Sequence, residues 1–496
     1  MNYKSTRNSQ IGVSAAAAIA GGISAEGGLY VPQNLPRLDE SRLDRLIGMD
    51  YRRRASDILG DFLTDFTEGE ITACANAAYG AQFDSPHIAP IAKLSPDVYM
   101  LELWHGPTCA FKDMALQLLP HLLTRSVAKT AGGKTIDILV ATSGDTGKAA
   151  LEGFKDVPGT NILVFYPEVG VSEIQKRQMT SQEGKNVNVC GVRGNFDDTQ
   201  TAVKGIFTDK NLTGRLAARN AMFSSANSIN WGRLAPQIVY YVSAWCDLVA
   251  GEEIARGDTV NICVPTGNFG NILAAYYAKR MGLPIGRLIC ASNINKVLTD
   301  FISTGVYDRR REFHATSSPS MDILISSNLE RLLFALTGED SAAVSAMMEE
   351  LSASGSYSVP QKLLGALQDE FYGGSANEEE TLLTVRETFD RYGYLCDTHT
   401  AVALKVHGEY VRRTGDSAKT IIASTASPFK FAGSILKALT GEASGPDEFE
   451  RMKRLAEITG TEPPPQLMGL RDKHERFLEI CDKDEMCRFV CSALEI

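Results

Sequence analysis

Between residues 136 and 291 the chain repeats one local plan: a short apolar run, a loop of small polar residues, then a helical stretch. Residues 136–141 (IDILVA) read as a buried strand, followed by TSGDTG and a helix from Lys148. Residues 161–165 (NILVF) form the next strand and 171–181 the next helix. Residues 187–190 are a third strand, before a helix near Asp197 that Asn195 or Asp197 caps. A largely buried helix is expected over 234–248. The strand 260–264 (VNICV) then runs through PTGNFGN into a helix over 272–281, with further strands at 287–291 and 421–424. Such repetition predicts parallel sheets covered by helices on both faces, with ligands bound at the carboxyl ends of the strands.

A chain of 496 residues exceeds what one hydrophobic core supports, so two lobes are expected. The expected division is residues 1–100 as a segment packed on the large lobe, 101–235 as the smaller α/β lobe, and 236–440 as the large α/β lobe. A charged, helical insertion near 328–387 interrupts the large lobe, and 441–496 form a helical tail on the outside.

The net charge of -10 argues against nucleic acid or an anionic membrane surface as partner, because phosphate contacts need clustered Lys and Arg. An anionic small molecule stays compatible with it, since a pocket can be basic while the whole is acidic. The ten cysteines show neither C-x-x-C pairs nor zinc spacing, which predicts reduced thiols in a cytoplasmic protein and no metal. No window has the ~18 apolar residues of a membrane span. Residues 11–22 follow Lys4 and Arg7 in the manner of a signal peptide, but they are mostly Ala and Gly and are expected to belong to the fold.

Four segments carry chemistry. In ELWHGPTCAFKDMALQLLP (102–120), Lys112 stands among Ala110, Phe111 and Met114; burial there lowers a lysine's pKa and frees a nucleophilic amine. The alternative is an amphipathic stem with its head in solvent. In ATSGDTGKAA (141–150), a compact turn opens a helix and gathers backbone N–H groups, which makes either an anion site or a purely structural turn. A Walker A loop is excluded, because Thr142 stands where the first Gly belongs and Ala149 where Ser or Thr is required. In VPTGNFGN (264–271), Gly267 and Gly270 permit close backbone approach at a helix N-terminus, where phosphate is the natural occupant. In ASTASPFKF (423–431), a hydroxyl either meets a ring nitrogen or caps the next helix, and Ser427 before Pro428 is read as the cap.

In this order the segments resemble threonine synthases of the bacterial and yeast branch, within the fold-type II enzymes that use pyridoxal 5'-phosphate (PLP). NYKSTR at the start, EGGLYVP (26–32), HGPTCAFKD (105–113), TSGDTGKAAL (142–151), FYPEVGVSEIQKRQM (165–179), SSANSINWGRLAPQ (224–237) and PTGNFGNILAAYYAKRMGLP (265–284) extend the resemblance to about Gly433. It implies a tryptophan-synthase-β-like α/β fold with Lys112 as the Schiff-base lysine. Gly267, Asn268, Phe269, Gly270 and Asn271 become the cradle for the cofactor phosphate, and Thr425 the partner of the pyridine nitrogen. The loop Thr142, Ser143, Gly144, Asp145 and Thr146 becomes the clamp for a substrate carboxylate, with Asn227 and Arg233 near cofactor and substrate. His105 is placed either to contribute a proton or to make local hydrogen bonds. Where the family often has His before Pro in the last loop, this chain has Ser427. The implied reaction is O-phospho-L-homoserine plus water to L-threonine plus phosphate, by a monomer or homodimer. A phosphohomoserine-degrading lyase giving 2-oxobutyrate, or a related dehydratase, is the alternative.

Overall fold

The computed structural model describes residues 1–142, 144–168, 171–194, 196–443 and 445–496, and for Phe196 and Asp197 the backbone alone. Ser143 and the helix cap expected at Asn195 or Asp197 therefore lie outside the described residues.

Two main sheets carry the chain. The larger has six strands in the order Phe371–Ser375, Ile285–Ser292, Val260–Pro265, Thr420–Ser424, Val98–Glu102 and Ile91–Ser95. All neighbours are parallel except the last pair. The smaller has five strands, all parallel, in the order Ile480–Asp482, Val187–Arg193, Thr160–Pro167, Thr135–Ala141 and Ala221–Ser224. Val260–Pro265 and Thr420–Ser424 are buried along their whole length. This is why they read as mostly apolar runs without alternation: helices cover both faces of a parallel sheet.

Three features differ from the sequence expectation. The stretch 328–387 is mostly helical, but it also supplies Phe371–Ser375, the edge strand of the large sheet. Its two glycines and serine hide a strand whose side chains are too small for an apolar alternation to show. The strand Val98–Glu102, just before the Lys112 segment, belongs to the large sheet. The tail after residue 440 is helical and also adds Ile480–Asp482 to the edge of the small sheet.

The Ala-rich run is the helix Ala15–Gly21, capped by Ser14, whose hydroxyl accepts from Ala17 N at 3.2 Å. Its small residues are buried, which suits close approach to the neighbouring helix Leu119–Thr130. Farther along, Arg7 donates from Nε and Nη2 to the two oxygens of buried Glu330 at 3.0 and 2.8 Å, a bidentate pair that ties the N-terminus to the helix Leu329–Leu336. All ten cysteines are free thiols. Among the described residues no helix is long and apolar enough to cross a membrane, and no His, Cys, Asp and Glu cluster has the makings of a metal site.

Candidate active site

Four strand ends meet at one place. Val98–Glu102 leads to Lys112, Thr135–Ala141 to Thr142 and Asp145, Val260–Pro265 to the 267–271 turn, and Thr420–Ser424 to Thr425. The Lys112 segment is laid along the 424–427 loop by backbone hydrogen bonds. Leu103 N donates to Ser424 O (2.9 Å), Phe111 N to Thr425 O (2.8 Å) and Ser427 N to Cys109 O (3.0 Å). Lys112 and Thr425 therefore sit side by side, although more than 300 residues separate them in sequence.

The Lys112 side chain is largely enclosed, with 12% of its surface exposed. Burial lowers its pKa from 10.5 to about 8, and the positive charges of Lys430 and Arg233 push the same way against the pull of Asp145. Its Nζ lies over the Phe111 ring, donates to Ser320 Oγ at 3.1 Å and stands 3.9 Å from Asp145 Oδ2. Asp113 is not its counterion. That carboxylate turns away to accept from Thr108 N (2.8 Å) and Thr108 Oγ1 (2.7 Å), and burial raises its pKa to about 6.

The counterion of the site is Asp145, at the start of the helix Asp145–Phe154. It accepts from Lys430 Nζ at 2.6 Å and from Gln175 Nε2 at 2.9 Å. Burial opposes its ionisation, but Lys430 and Lys112 outweigh burial and hold it well below the usual carboxylate range. An anion so engaged repels another carboxylate. What this loop offers a substrate is main-chain: among the described residues, the N–H groups of Asp145 and Thr146 donate to no carbonyl, as in any uncapped first turn. Thr142 serves the loop itself, with Oγ1 accepting from Gly144 N (3.0 Å) and Gly147 N (2.9 Å).

The 267–271 turn is fixed from behind. Gly267 O accepts from Ser326 Oγ at 2.8 Å, and Asn268 O from both N and Nδ2 of Asn328 at 3.1 Å. The peptides are trans, so the N–H groups of Asn268 and Phe269 face the opposite side, away from those tethers. Phe269 holds φ at 62° in the left-handed region, and a non-glycine residue there marks a site whose geometry matters. Its ring is buried beside Phe371, and Asn271 Oδ1 accepts from Tyr240 (2.7 Å) and Tyr241. The side chains of Phe269 and Asn271 thus anchor the helix, and the turn presents backbone to a ligand. Gly267 is required by space: a Cβ there would stand 2.5 Å from Ser320 O.

Arg233, at the start of the helix Trp231–Ala250, is buried and donates to Ala226 O at 2.9 Å, while its Nε bonds to no described residue. Burial lowers its pKa to about 10. Asn227 is half-exposed in the neighbouring turn, which it closes by accepting from Asn230 N at its carbonyl. His105 is bracketed by Asp84 at Nδ1 and Glu102 at Nε2 (2.9 Å). Burial works against its protonation, yet the two carboxylates prevail and raise its pKa to about 9. That is the local hydrogen-bonding role of the two left open. The cap expected of Ser427 is absent: its hydroxyl is buried and bonds to no described residue, and the N–H of Lys430, where a cap would bond, donates to the Ser427 carbonyl at 3.1 Å instead.

Comparison with known proteins decides the family. A model described as the pyridoxal-phosphate dependent enzyme family matches residues 83–426, flanked by a threonine synthase N-terminal model at 2–79 and a threonine synthase C-terminal model at 400–490. The chain belongs to the threonine synthase family. Within that family, threonine synthase from Pseudomonas aeruginosa is 38% identical across 92% of this chain and 95% of its own. Human threonine synthase-like 1 is 40% identical across 94% of this chain, which spans 64% of that relative's length. The PLP-bound threonine synthase structure from Brucella melitensis superposes with a TM-score of 0.88 at 36% identity, covering 99% of both chains. The yeast enzyme also superposes at 0.88, with 32% identity, over 100% of this chain and 98% of its own.

The residues present fit this family's cofactor. Lys112 has a buried amine of lowered pKa, the N–H groups of 268 and 269 face away from their tethered carbonyls, and the Thr425 hydroxyl bonds to no described residue, features that suit an aldehyde, a phosphate and a ring nitrogen in turn. Sequence reasoning missed Lys430, Ser320, Asn328 and His399. Lys430 had a signal, since it lies between Phe429 and Phe431 as Lys112 lies beside Phe111. The other three come from remote segments with none.

Proposed function

We propose that the chain converts O-phospho-L-homoserine and water to L-threonine and phosphate, with PLP as cofactor. The observation that carries this reading is the charge balance at Lys112. Three basic groups, Lys112, Lys430 and Arg233, converge where Asp145 is the carboxylate in contact, and Asp113 is turned away to Thr108. Such a site favours an anionic substrate, and a phosphorylated amino acid brings both phosphate and carboxylate.

PLP bound at Lys112, at the 267–271 turn and at Thr425 supplies an electron sink for the pair left when substrate carbon–hydrogen bonds break. The chain's own residues do the rest. With a pKa of about 8, Lys112 Nζ is neutral in about a tenth of molecules at pH 7, where a surface lysine is neutral in well under a hundredth. It therefore accepts the α-proton and returns a proton later without a large energetic penalty. The N–H groups of Asp145 and Thr146 orient the substrate carboxylate, and Arg233, with its free Nε, faces the phosphate. Lys430 keeps Asp145 from competing with the substrate, because it holds that carboxylate at 2.6 Å.

The test is product identification from purified protein supplied with PLP and O-phospho-L-homoserine. Equimolar threonine and phosphate support the reading. Phosphate with 2-oxobutyrate and ammonia assigns the degrading lyase instead, and no phosphate release removes both.

A further inference from the structure

The mechanism above leaves one buried imidazole unused. His399, 3% exposed at the start of the helix Thr398–Thr414, places Nδ1 2.8 Å from Asp397 Oδ1. Asp397 is wholly buried and is further held by the hydroxyl of Thr400 and by His399 N at 2.9 Å. On the other side of the ring, Nε2 accepts from Ser320 N at 3.2 Å. A backbone N–H can only donate, so Nε2 carries the lone pair, Nδ1 carries the proton, and Asp397 receives that proton's hydrogen bond. Phe431 closes against the ring edge, with centroids 5.0 Å apart.

Ser320 is the residue this arrangement holds. Its hydroxyl accepts from Lys112 Nζ at 3.1 Å, and its carbonyl forms the wall against which Gly267 must lack a side chain. Ser320 lies in the single 3-10 turn Pro319–Met321, between the strand Val306–Asp308 and the helix Leu329–Leu336; Asp322 beside it accepts from Asn293, Asn295 and Thr316, and His399 holds the Ser320 N–H itself. One hydrogen-bonded series therefore runs Asp397, His399, Ser320, Lys112.

We propose that His399 is a positioning residue for Lys112. Fixed by Asp397, it holds the Ser320 main chain so that the Ser320 hydroxyl receives the lysine amine whenever that amine is free, aiming its lone pair at the incoming carbon. This rests on the assignment of Lys112 as the cofactor lysine.

The test uses the full-length apo-protein and two probes. The first is PLP, followed by the growth of the visible band that reports covalent capture by Lys112. The second is pyridoxine 5'-phosphate, which has no aldehyde and reports binding alone. Ser320→Ala and His399→Leu are each expected to slow capture about tenfold while leaving pyridoxine 5'-phosphate affinity within about twofold of wild type. His399→Gln, whose carbonyl still accepts from Ser320 N, should recover most of the rate. Combining Ser320→Ala with His399→Leu should be no slower than the slower single variant, because both interrupt one series. Capture at the wild-type rate in Ser320→Ala overturns the proposal. So do multiplying effects in the double variant, a His399→Gln protein as slow as His399→Leu, or a parallel loss of pyridoxine 5'-phosphate affinity. Lys112→Ala separates the two assignments: a persistent visible band there removes the lysine assignment itself, whereas its loss with normal Ser320→Ala kinetics removes only the positioning role.

Discussion

Replacing Lys430 with Met keeps the length of the side chain and deletes its charge, which makes it a sharp probe of the buried ion pair. Lys430 Nζ lies 2.6 Å from Asp145 Oδ1, and the lysine side chain is wholly buried. At that distance the gross attraction is about 6 kcal/mol with an effective dielectric constant of ~20. Deletion also relieves repulsion between Lys430 and Lys112, and Lys112 can close its 3.9 Å gap to Asp145. The expected net loss is therefore about 3–5 kcal/mol, the usual result of stranding one buried charge. A loss near 4 kcal/mol lowers the melting midpoint by about 4 °C if the whole chain melts as one unit, and by about 14 °C if the small lobe melts alone. The pH dependence has a definite sign. Asp145 has a folded pKa below its unfolded 3.8, so its contribution is present above about pH 3.8 and fades as pH falls through the folded value. The gap between variant and wild type should be widest near neutrality and narrow in acid. Lys430→Met combined with Asp145→Asn, which removes the stranded charge, should recover most of the midpoint. Scanning calorimetry at pH 7 and in acid measures all three proteins. A Lys430→Met protein that melts with wild type at pH 7, or a double variant no more stable than the single, refutes the argument.

Other perturbations have equally definite outcomes. Lys112→Ala should abolish the visible absorbance of bound PLP and cut turnover by at least about a thousandfold, as spectra and phosphate release will show. The rate of PLP capture by the apo-protein should rise with pH and level off near 8, because only the neutral amine attacks and burial sets its pKa at about 8. A plateau near 10.5 would mean that Lys112 is solvated. Gly267→Ala should weaken PLP retention by at least about tenfold, measured by equilibrium dialysis, since its Cβ meets a backbone oxygen that cannot step aside. Gly270→Ala should be far milder, because its Cβ first meets the Asn328 side-chain amide at 3.3 Å. His105→Gln should lower the melting midpoint below about pH 6.5, with the difference vanishing as pH rises through about 9. The raised histidine pKa contributes stability only while the ring is protonated between Asp84 and Glu102.

Much of this protein was determined locally. The runs IDILVA, NILVF and VNICV read as strands because they are short, mostly apolar and followed by turn residues, as strands of a sheet covered on both faces are, and the small polar loops at their carboxyl ends mark where such sheets bind ligands. The lysine beside Phe111 and the turn with Gly267 and Gly270 before a helix marked candidate positions by type and spacing, while the segment by itself left Lys112 equally readable as a stem with its head in solvent. What the sequence left undecided was which distant groups meet. Phe371–Ser375 was hidden because a glycine-rich strand is recognised by the neighbour it pairs with. Ser320 and His399 were hidden, and so was the carboxylate that Lys430 meets, because a counterion or hydrogen-bond partner is defined by a distance of about 3 Å, which no spacing along the chain encodes. The same holds for pKa values. Asp113 is adjacent to Lys112 in sequence, yet tertiary packing turned it toward Thr108 and brought Asp145 to the amine instead, because electrostatic energy depends on separation and burial and not on position in the chain.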